Sequence, residues 1–222
     1  MLRSFTTLPN PASSAFGRVH RALRPALMLF AGAFLLAACE REWSTDYDDP
    51  LTSAATGNWR VSSVQVSVPD TLSVSDANRF FVHSDIVWHG DPAGDRRAQV
   101  AAITKTAAQQ AASGLHGSRP VEFDITILKF HGVTPITVAR APAAVHNMQF
   151  AVQIRDARTG AVLAGPSMIR AEMPALVNEQ AYEAAQFGPT QKDRVSEHLA
   201  KTFSGWLGTG PDNRDTFVSV GQ

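Results

Sequence analysis

The chain alternates between stretches with the two-residue period of strands and stretches with the helical period. From Trp59 to Val68, Val64, Val66 and Val68 alternate with Gln65 and Ser67, and Pro69-Asp70 breaks the run. A short extended piece is expected at Leu72–Val74, then a turn or helical start at Ser75–Asn78. Phe80 to His89 reads as a second strand, with Ile86, Val87 and Trp88 apolar in a row. Asp91-Pro92-Ala-Gly-Asp95 reads as a helix entrance, with Asp91 as the cap and Pro92 in the first turn. Val100, Ile103, Ala107 and Ala111 then mark one stripe of a helix over about 95–113, with Gly114 as its left-handed stop.

A long strand opens at Arg119-Pro120, where Val121, Phe123, Ile125 and Ile127 alternate with Glu122, Asp124 and Thr126. The apolar phase then slips to Leu128 and Phe130, which predicts a bulge or a covered far face near Ile127. Residues 132–144 read as a loop. His146 to Asp156 is the next strand, with Met148, Phe150, Val152 and Ile154 on one face. Asp156-Ala-Arg-Thr-Gly160 is a hairpin turn with a left-handed glycine. The chain returns as a strand over Ala161–Met173, interrupted at Gly165-Pro166. Asn178–Phe187 is helical or irregular. Thr190-Gln-Lys-Asp193 resembles a capping box and starts a helix to about Leu207, with Val195, Leu199, Phe203 and Trp206 inward. Gly208 ends it. No internal repeat is present.

This order of strand, helix, three strands and helix predicts an α+β two-layer sandwich. A mainly antiparallel sheet would carry both helices, about 95–113 and 191–207, on one face.

The first 38 residues follow a different pattern. Arg3, Arg18, Arg21 and Arg24 precede an uncharged run from Pro25 to Ala38 that ends in small residues. Basic start, apolar middle and small-residue end are the build of an export signal. The run is about 14 residues, short of the roughly 20 that span a bilayer as a helix. It closes on Leu36-Ala37-Ala38-Cys39, which holds the only cysteine of the protein. That tetrapeptide looks like the lipobox of bacterial lipoproteins. The resemblance implies cleavage between Ala38 and Cys39, lipid transfer to the Cys39 thiol and acylation of the new amino terminus. Under the sorting rule of bacterial lipoproteins, Asp after the cysteine favours retention in the inner membrane; this chain has Glu40 there, so the outer membrane is expected.

The expected organisation is therefore a signal at 1–38, a lipidated tether at 39–58, one domain at 59–207 and a loose tail at 208–222 that is extended only at Phe217-Val-Ser-Val. The tether expectation rests on an acidic, turn-rich composition. Within it, Trp43 and Tyr47 either sit at the lipid headgroups or dock on the domain. Removing 38 of 222 residues leaves 184, enough for one well-packed domain without disulfides. All 20 acids and 16 of the 20 basic residues remain, so the mature net charge is about −4. No basic run is present, which argues against a nucleic-acid partner.

Candidate chemistry is sparse. On a straight strand His83, Asp85, His89 and Asp91 would share one face, and imidazole and carboxylate are zinc ligands. His83 and His89 would then lie about 20 Å apart, so the segment reads first as a polar strand face. His131 ends one strand and His146 begins the next. An antiparallel pairing would bring them together at one end of the sheet, as a two-histidine metal candidate lacking a third ligand or as paired surface histidines. Ser118 beside His116 is a weak dyad candidate, and no Gly-x-Ser-x-Gly is present. Arg96, Arg97 and Arg119 read as a solvated face, with an anion grip as the alternative. No catalytic residue, cofactor or metal is assigned.

Beyond the lipobox, several runs resemble a family of uncharacterised bacterial lipoproteins over about residues 43–207. These are Trp59-Arg-Val with Val68-Pro-Asp70, Asp85-Ile-Val-Trp88, Asp91-Pro-x-Gly-Asp-Arg-x-x-Gln-Val100, Phe130-His131, Val145-His146-Asn147 and Asp156-Ala-Arg-Thr-Gly160. The resemblance transfers no functional residue except Cys39. More loosely, the element order is similar to envelope lipoproteins that assist transporters or lipopolysaccharide assembly, a fold-level analogy. The expectation is a non-enzymatic, lipid-anchored periplasmic accessory with an envelope protein as partner. The alternative is a small-molecule, glycan or metal binder, which needs the histidines to converge in one pocket.

Overall fold

A computed structural model describes residues 40–220. The expected signal at 1–38, its cleavage site at Ala38 and the lipidation site Cys39 lie outside the described residues. Among the described residues nine strands and five helices follow in order. They are β1 (Glu40–Tyr47), α1 (Ser53–Thr56), β2 (Trp59–Ser67), β3 (Val74–Ser75), β4 (Ile86–Val87), α2 (Arg96–Ala112) and β5 (Arg119–His131). Then come α3 (Pro135–Arg140), β6 (Val145–Asp156), β7 (Val162–Ala171), β8 (Met173–Pro174), α4 (Asn178–Phe187), α5 (Gln191–Leu207) and β9 (Asp215–Val220).

The strands form one sheet in the order β3-β4-β5-β6-β7-β1-β9. On the side of β5 away from β6, β2 lies along the first two thirds of β5 and β4 takes its end. The β5–β6, β6–β7, β7–β1 and β1–β9 pairs are antiparallel, whereas β2 and β4 join β5 in parallel. The sheet is therefore mixed. A parallel neighbour needs a crossover, and the long stretch from β2 through α2 to β5 supplies one.

α2 and α5 pack on each other and on one face of the sheet. Val100, Ile103, Ala107 and Ala111 of α2 are buried, as are Val195, Leu199, Phe203 and Trp206 of α5. They meet Phe123, Ile125 and Ile127 of β5 and Phe150, Val152 and Ile154 of β6. Ring contacts run from Trp88 through Phe130, Phe150 and Phe203 to Phe123 and Trp206, at centroid distances of 5.4 to 6.5 Å. The opposite face carries Gln65, Ser67, Glu122, Asp124, Thr126, Gln153 and Arg155 and is open to solvent. The ladder between β5 and β6 slips between Ile127 and Lys129, where the apolar phase changes.

Local signals explain the element ends. Asp95, not Asp91, caps α2 by accepting from the Ala98 amide. Thr190 and Asp193 complete the capping box of α5, and Gly208 closes it at φ 67°. Gly160 turns the β6–β7 hairpin at φ 73°. Gly114 is not left-handed, and Ser113 ends α2.

Four expectations are corrected. Residues 40–47 are not a tether. They form β1, inside the sheet between β7 and β9, and both Trp43 and Tyr47 dock on the domain at 4% and 2% exposure. In the tail the expected extended piece at 217–220 is a strand that starts earlier, at Asp215, and pairs with β1 throughout. The expected strand over Phe80–His89 shrinks to Ile86–Val87. Residues 132–144 contain the short helix α3, which Thr134 caps and Pro135 opens.

Strand directions define two ends of the domain. β5 finishes, β6 begins, β7 finishes and β1 begins at one end. The same end carries α3, β8 and the amino termini of α4 and α5.

Candidate functional site

The 83–91 segment does not lay its polar residues on one face, because it is not a straight strand. Asp85 binds Ser73, accepting from its amide at 2.8 Å and its hydroxyl at 2.7 Å, and these bonds lower its pKa. Asp91 accepts from the Trp88 indole at 2.7 Å and from Lys192 at 2.5 Å. Burial alone would raise its pKa, but these bonds outweigh it and hold the carboxyl below its usual range. Both carboxylates therefore fasten loops. His83 is exposed, and His89 is half-buried, its pKa lowered by burial and by Arg96. Among the described residues no three His, Cys, Asp or Glu side chains are grouped to hold a metal ion.

His131 and His146 do come to the same end of the sheet, on opposite faces. His131 pairs across the ladder with Asn147. Side chains alternate along β6, so His146 joins Met148 and Phe150 on the helix face while His131 lies on the other. His131 is buried, with Nδ1 at 2.8 Å from the Ser84 carbonyl. Burial lowers its pKa. Shared-ion geometry is thus absent for this pair, and neither is a surface histidine.

The arginines also differ from expectation. Arg96 is only 6% exposed and bonds Asp76, the carbonyls of Asp91 and Pro92, and Gln99. Arg97 donates to the carbonyls of Pro69, Asp70 and Leu72. Arg119 pairs with Asp156 at 2.8 Å. They hold the loops that frame α2 and the hairpin turn. The Ser118 hydroxyl donates to Asn58 Oδ1 at 2.9 Å, which removes it from a dyad with His116.

What the fold brings together instead is a polar cluster between β1, β6, β8 and α5. His146 is 1% exposed, and its Nε2 is 3.0 Å from Gln191 Oε1. The Gln191 amide nitrogen donates to the Leu176 carbonyl, so its oxygen faces the ring. Nε2 of His146 must then carry the proton. His198 Nε2 is 3.1 Å from Thr45 Oγ1, whose hydroxyl donates to the Glu172 carbonyl at 3.0 Å. The same logic puts the proton on Nε2 of His198. The Glu172 carboxylate accepts the Ser44 amide at 2.8 Å.

Burial is the main cause of depressed basicity in both rings. It pushes His146 down to about 4 against the hydrogen bond to Gln191. It pushes His198 to about 4, helped by His146, Lys201 and Arg194. Two neutral imidazoles at neutral pH therefore brace the β1–β6–α5 junction. The signal for His146 was in the sequence, since it shares the parity of Met148, Phe150, Val152 and Ile154. His198 lies beside Leu199 in the inward stripe of α5 and was missed.

Shallow grooves mark the surface, two of them on the sheet. One, about 320 Å³, lies on the open face over Gln65, Ser67, Asp124, Thr126, Gln153 and Arg155. The other, about 500 Å³, lies along β1 by Glu42, Asp46, Arg170, Arg214 and Asp215. No helix among the described residues is long and apolar enough to cross a membrane.

No protein of curated function matches the sequence. Among solved structures the chain is similar to a single-substitution variant of the PelC dodecamer from Paraburkholderia phytofirmans. The identity is 10%, with a TM-score of 0.37, over 75% of this chain and 98% of that one. It is also similar to a candidate lipoprotein from Caulobacter crescentus CB15, at 13% identity and a TM-score of 0.34, over 71% and 92% of the two chains. A sequence-family profile matches residues 59–222, most of the chain, and by that match this protein belongs to the Family of unknown function (DUF6778).

Proposed function

We propose that this protein is a lipid-anchored, non-enzymatic domain of the bacterial cell envelope. It faces the periplasm, is held through lipid on Cys39, and serves as an accessory to transport or assembly with another envelope protein as partner. The observation that carries this reading is the apolar run ending in Leu36-Ala-Ala-Cys39, with the sole cysteine of the chain at its close. Lipidation accounts both for there being one cysteine and for its position. One acyl chain binds a membrane only marginally, whereas two or more hold stably, so a lipidated and acylated Cys39 would be a firm anchor. Glu40 in place of Asp favours the outer membrane.

The test is intact-mass analysis of the full-length protein after expression in a bacterial host, beside Cys39→Ala. The expected wild-type species lacks residues 1–38, carries diacylglyceryl and acyl groups, and fractionates with outer membrane. Cys39→Ala should lack the lipid and leave the membrane fraction or remain unprocessed. An unmodified Cys39 in a soluble wild-type protein would overturn the anchor. Crosslinking in the native envelope then tests the accessory role, which predicts a discrete protein captured by the anchored form and not by Cys39→Ala.

A further inference from the structure

We infer that the end of the domain where β1 begins is a lipid-facing surface, and that Phe80, Phe81, Tyr182 and Phe187 enter the interfacial layer of the bilayer. This rests on the Cys39 anchor proposed above and adds the orientation of the domain to it.

The first support is the missing slack. β1 starts at Glu40 and is paired from its first residue, Glu40 opposite Val220. Successive Cα atoms are about 3.8 Å apart, so an anchor on residue 39 would sit one residue from an ordered strand. A flexible leash would let the domain turn any side to the membrane. A paired strand presents one end.

The second support is what that end carries. Eight large apolar side chains are exposed among the described residues: Val74, Phe80, Phe81, Val162, Met168, Tyr182, Phe187 and Val218. Register places Val74 and Val218 at the end where β1 begins, and hydrogen bonds of neighbouring residues bring Phe80, Phe81, Tyr182 and Phe187 to the same end. Val74 pairs with Ile86, which pairs with Phe130 at the finish of β5. Val218 pairs with Glu42, beyond the last β1–β7 pair. Phe80 and Phe81 follow Arg79, whose carbonyl accepts from Thr134 at the cap of α3. On the other flank of α3, Asn178 at the start of α4 donates to the Ala141 carbonyl. Beneath these, Val133, Ala144, Ala175, Val177 and Val138 pack into a small cluster of their own.

α4 is the third support. None of its ten residues is buried, and it leaves Tyr182 67% and Phe187 87% exposed. α4 buries no residue fully and turns aromatic rings outward, which leaves Tyr182 and Phe187 free to contact a neighbouring surface. Amphipathic rings such as Tyr are at home at headgroup depth. Exposed apolar side chains gathered at one end of a domain mark an interaction site, and a Cys39 anchor next to the start of β1 would make the bilayer the nearest surface.

The experiment uses the lipidated full-length protein on vesicles of phosphatidylethanolamine and phosphatidylglycerol. Because Cys39 carries the lipid, an introduced cysteine is the only free thiol. Phe81→Cys, Phe187→Cys and, at the far end of the hairpin, Val162→Cys are each labelled with an environment-sensitive dye. The expected result is a blue shift and quenching by spin-labelled lipid at 81 and 187, with neither at 162. Aqueous emission at all three positions overturns the inference while leaving the anchor intact. So does a blue shift without lipid quenching, which would mean that protein, such as a second copy, covers the surface. Mass analysis of the same samples reports lipidation directly, so failure of the anchor is distinguished from failure of the orientation.

Discussion

His146 couples stability to pH with a predictable sign. In the unfolded chain its imidazole takes a proton near 6.5, whereas in the folded protein burial holds it to about 4. Between those values the unfolded state binds more protons, so acid favours unfolding. The stability supported by the neutral ring is intact above about 6.5 and is lost as pH falls towards 4. At 1.36 kcal/mol per pH unit, the full interval is worth about 3 kcal/mol, of which about 2 kcal/mol falls between pH 7 and pH 4.5. His146→Gln removes the titrating ring and keeps an N–H that can donate to Gln191. Urea unfolding of both proteins at pH 7 and 4.5 gives the comparison. His146→Gln should lower stability at pH 7 but lose about 2 kcal/mol less than wild type on acidification. His198, His131 and His89, all lowered by burial, leave a residual slope of the same sign in the variant. Equal acid losses in the two proteins would refute the neutral, buried state assigned to His146.

Other substitutions test the packing. Phe203→Ala removes the ring shared by Phe123 and Phe150 and should cost about 3–5 kcal/mol in denaturant unfolding. Arg96→Ala removes the donor to the Asp91 carbonyl and to the Gln99 side-chain oxygen and breaks the ion pair with Asp76, while the Pro92 carbonyl keeps the Gln99 amide. A loss of about 2–3 kcal/mol is expected, with Arg96→Lys recovering only part of it because an ammonium lacks the planar fork. Gly208→Ala puts a Cβ 2.5 Å from the Leu51 carbonyl at a left-handed φ. It should lower the thermal midpoint by more than the roughly 1 kcal/mol of an ordinary helix-end change. Trp43→Ala deletes a ring buried between β1 and β9 and should expose the Asp215–Val220 strand to protease before the rest of the domain opens. Simultaneous cleavage throughout would count against a separable seam.

The two large helices were legible because each carries its own period and its own ends, as with the Thr190–Asp193 box and Gly208. The bulge between Ile127 and Lys129 was legible because a change of apolar parity in a strand has few other meanings. β1 was not. Trp43, Thr45 and Tyr47 keep a strand's parity, but the residues between and around them are charged or small, and both pairing partners lie more than 120 residues away. Only the closed sheet supplies the buried face that makes the pattern meaningful. Ile86-Val-Trp88 misled in the opposite sense. A fully apolar triplet suggested a long strand, whereas two residues pair and Trp88 leaves the ladder to meet Phe130 and Asp91. The histidines needed tertiary structure too: parity put His146 in the core, but its separation from His131 depends on a register that sequence alone did not set.

The family match begins at Trp59, while the sheet begins at Glu40. The segment ahead of the match therefore completes a fold that the matched part leaves open, because β1 is the strand that joins β9 to β7. Its first residue pairs with Val220, across nearly the whole chain, so this seam closes only when both ends of the domain are present. Contacts of such long sequence separation form late in folding. Once β1 is paired, Trp43 and Tyr47 lock it to the domain, and Thr45 binds His198 of α5. An anchor on the preceding residue would then pull on a strand paired with β9 from its first residue and with β7 from Thr45 onward. Under the proposed Cys39 anchor, a tilt of that anchor would pass into β1 and the sheet, so the orientation proposed for this domain would be set by its sheet.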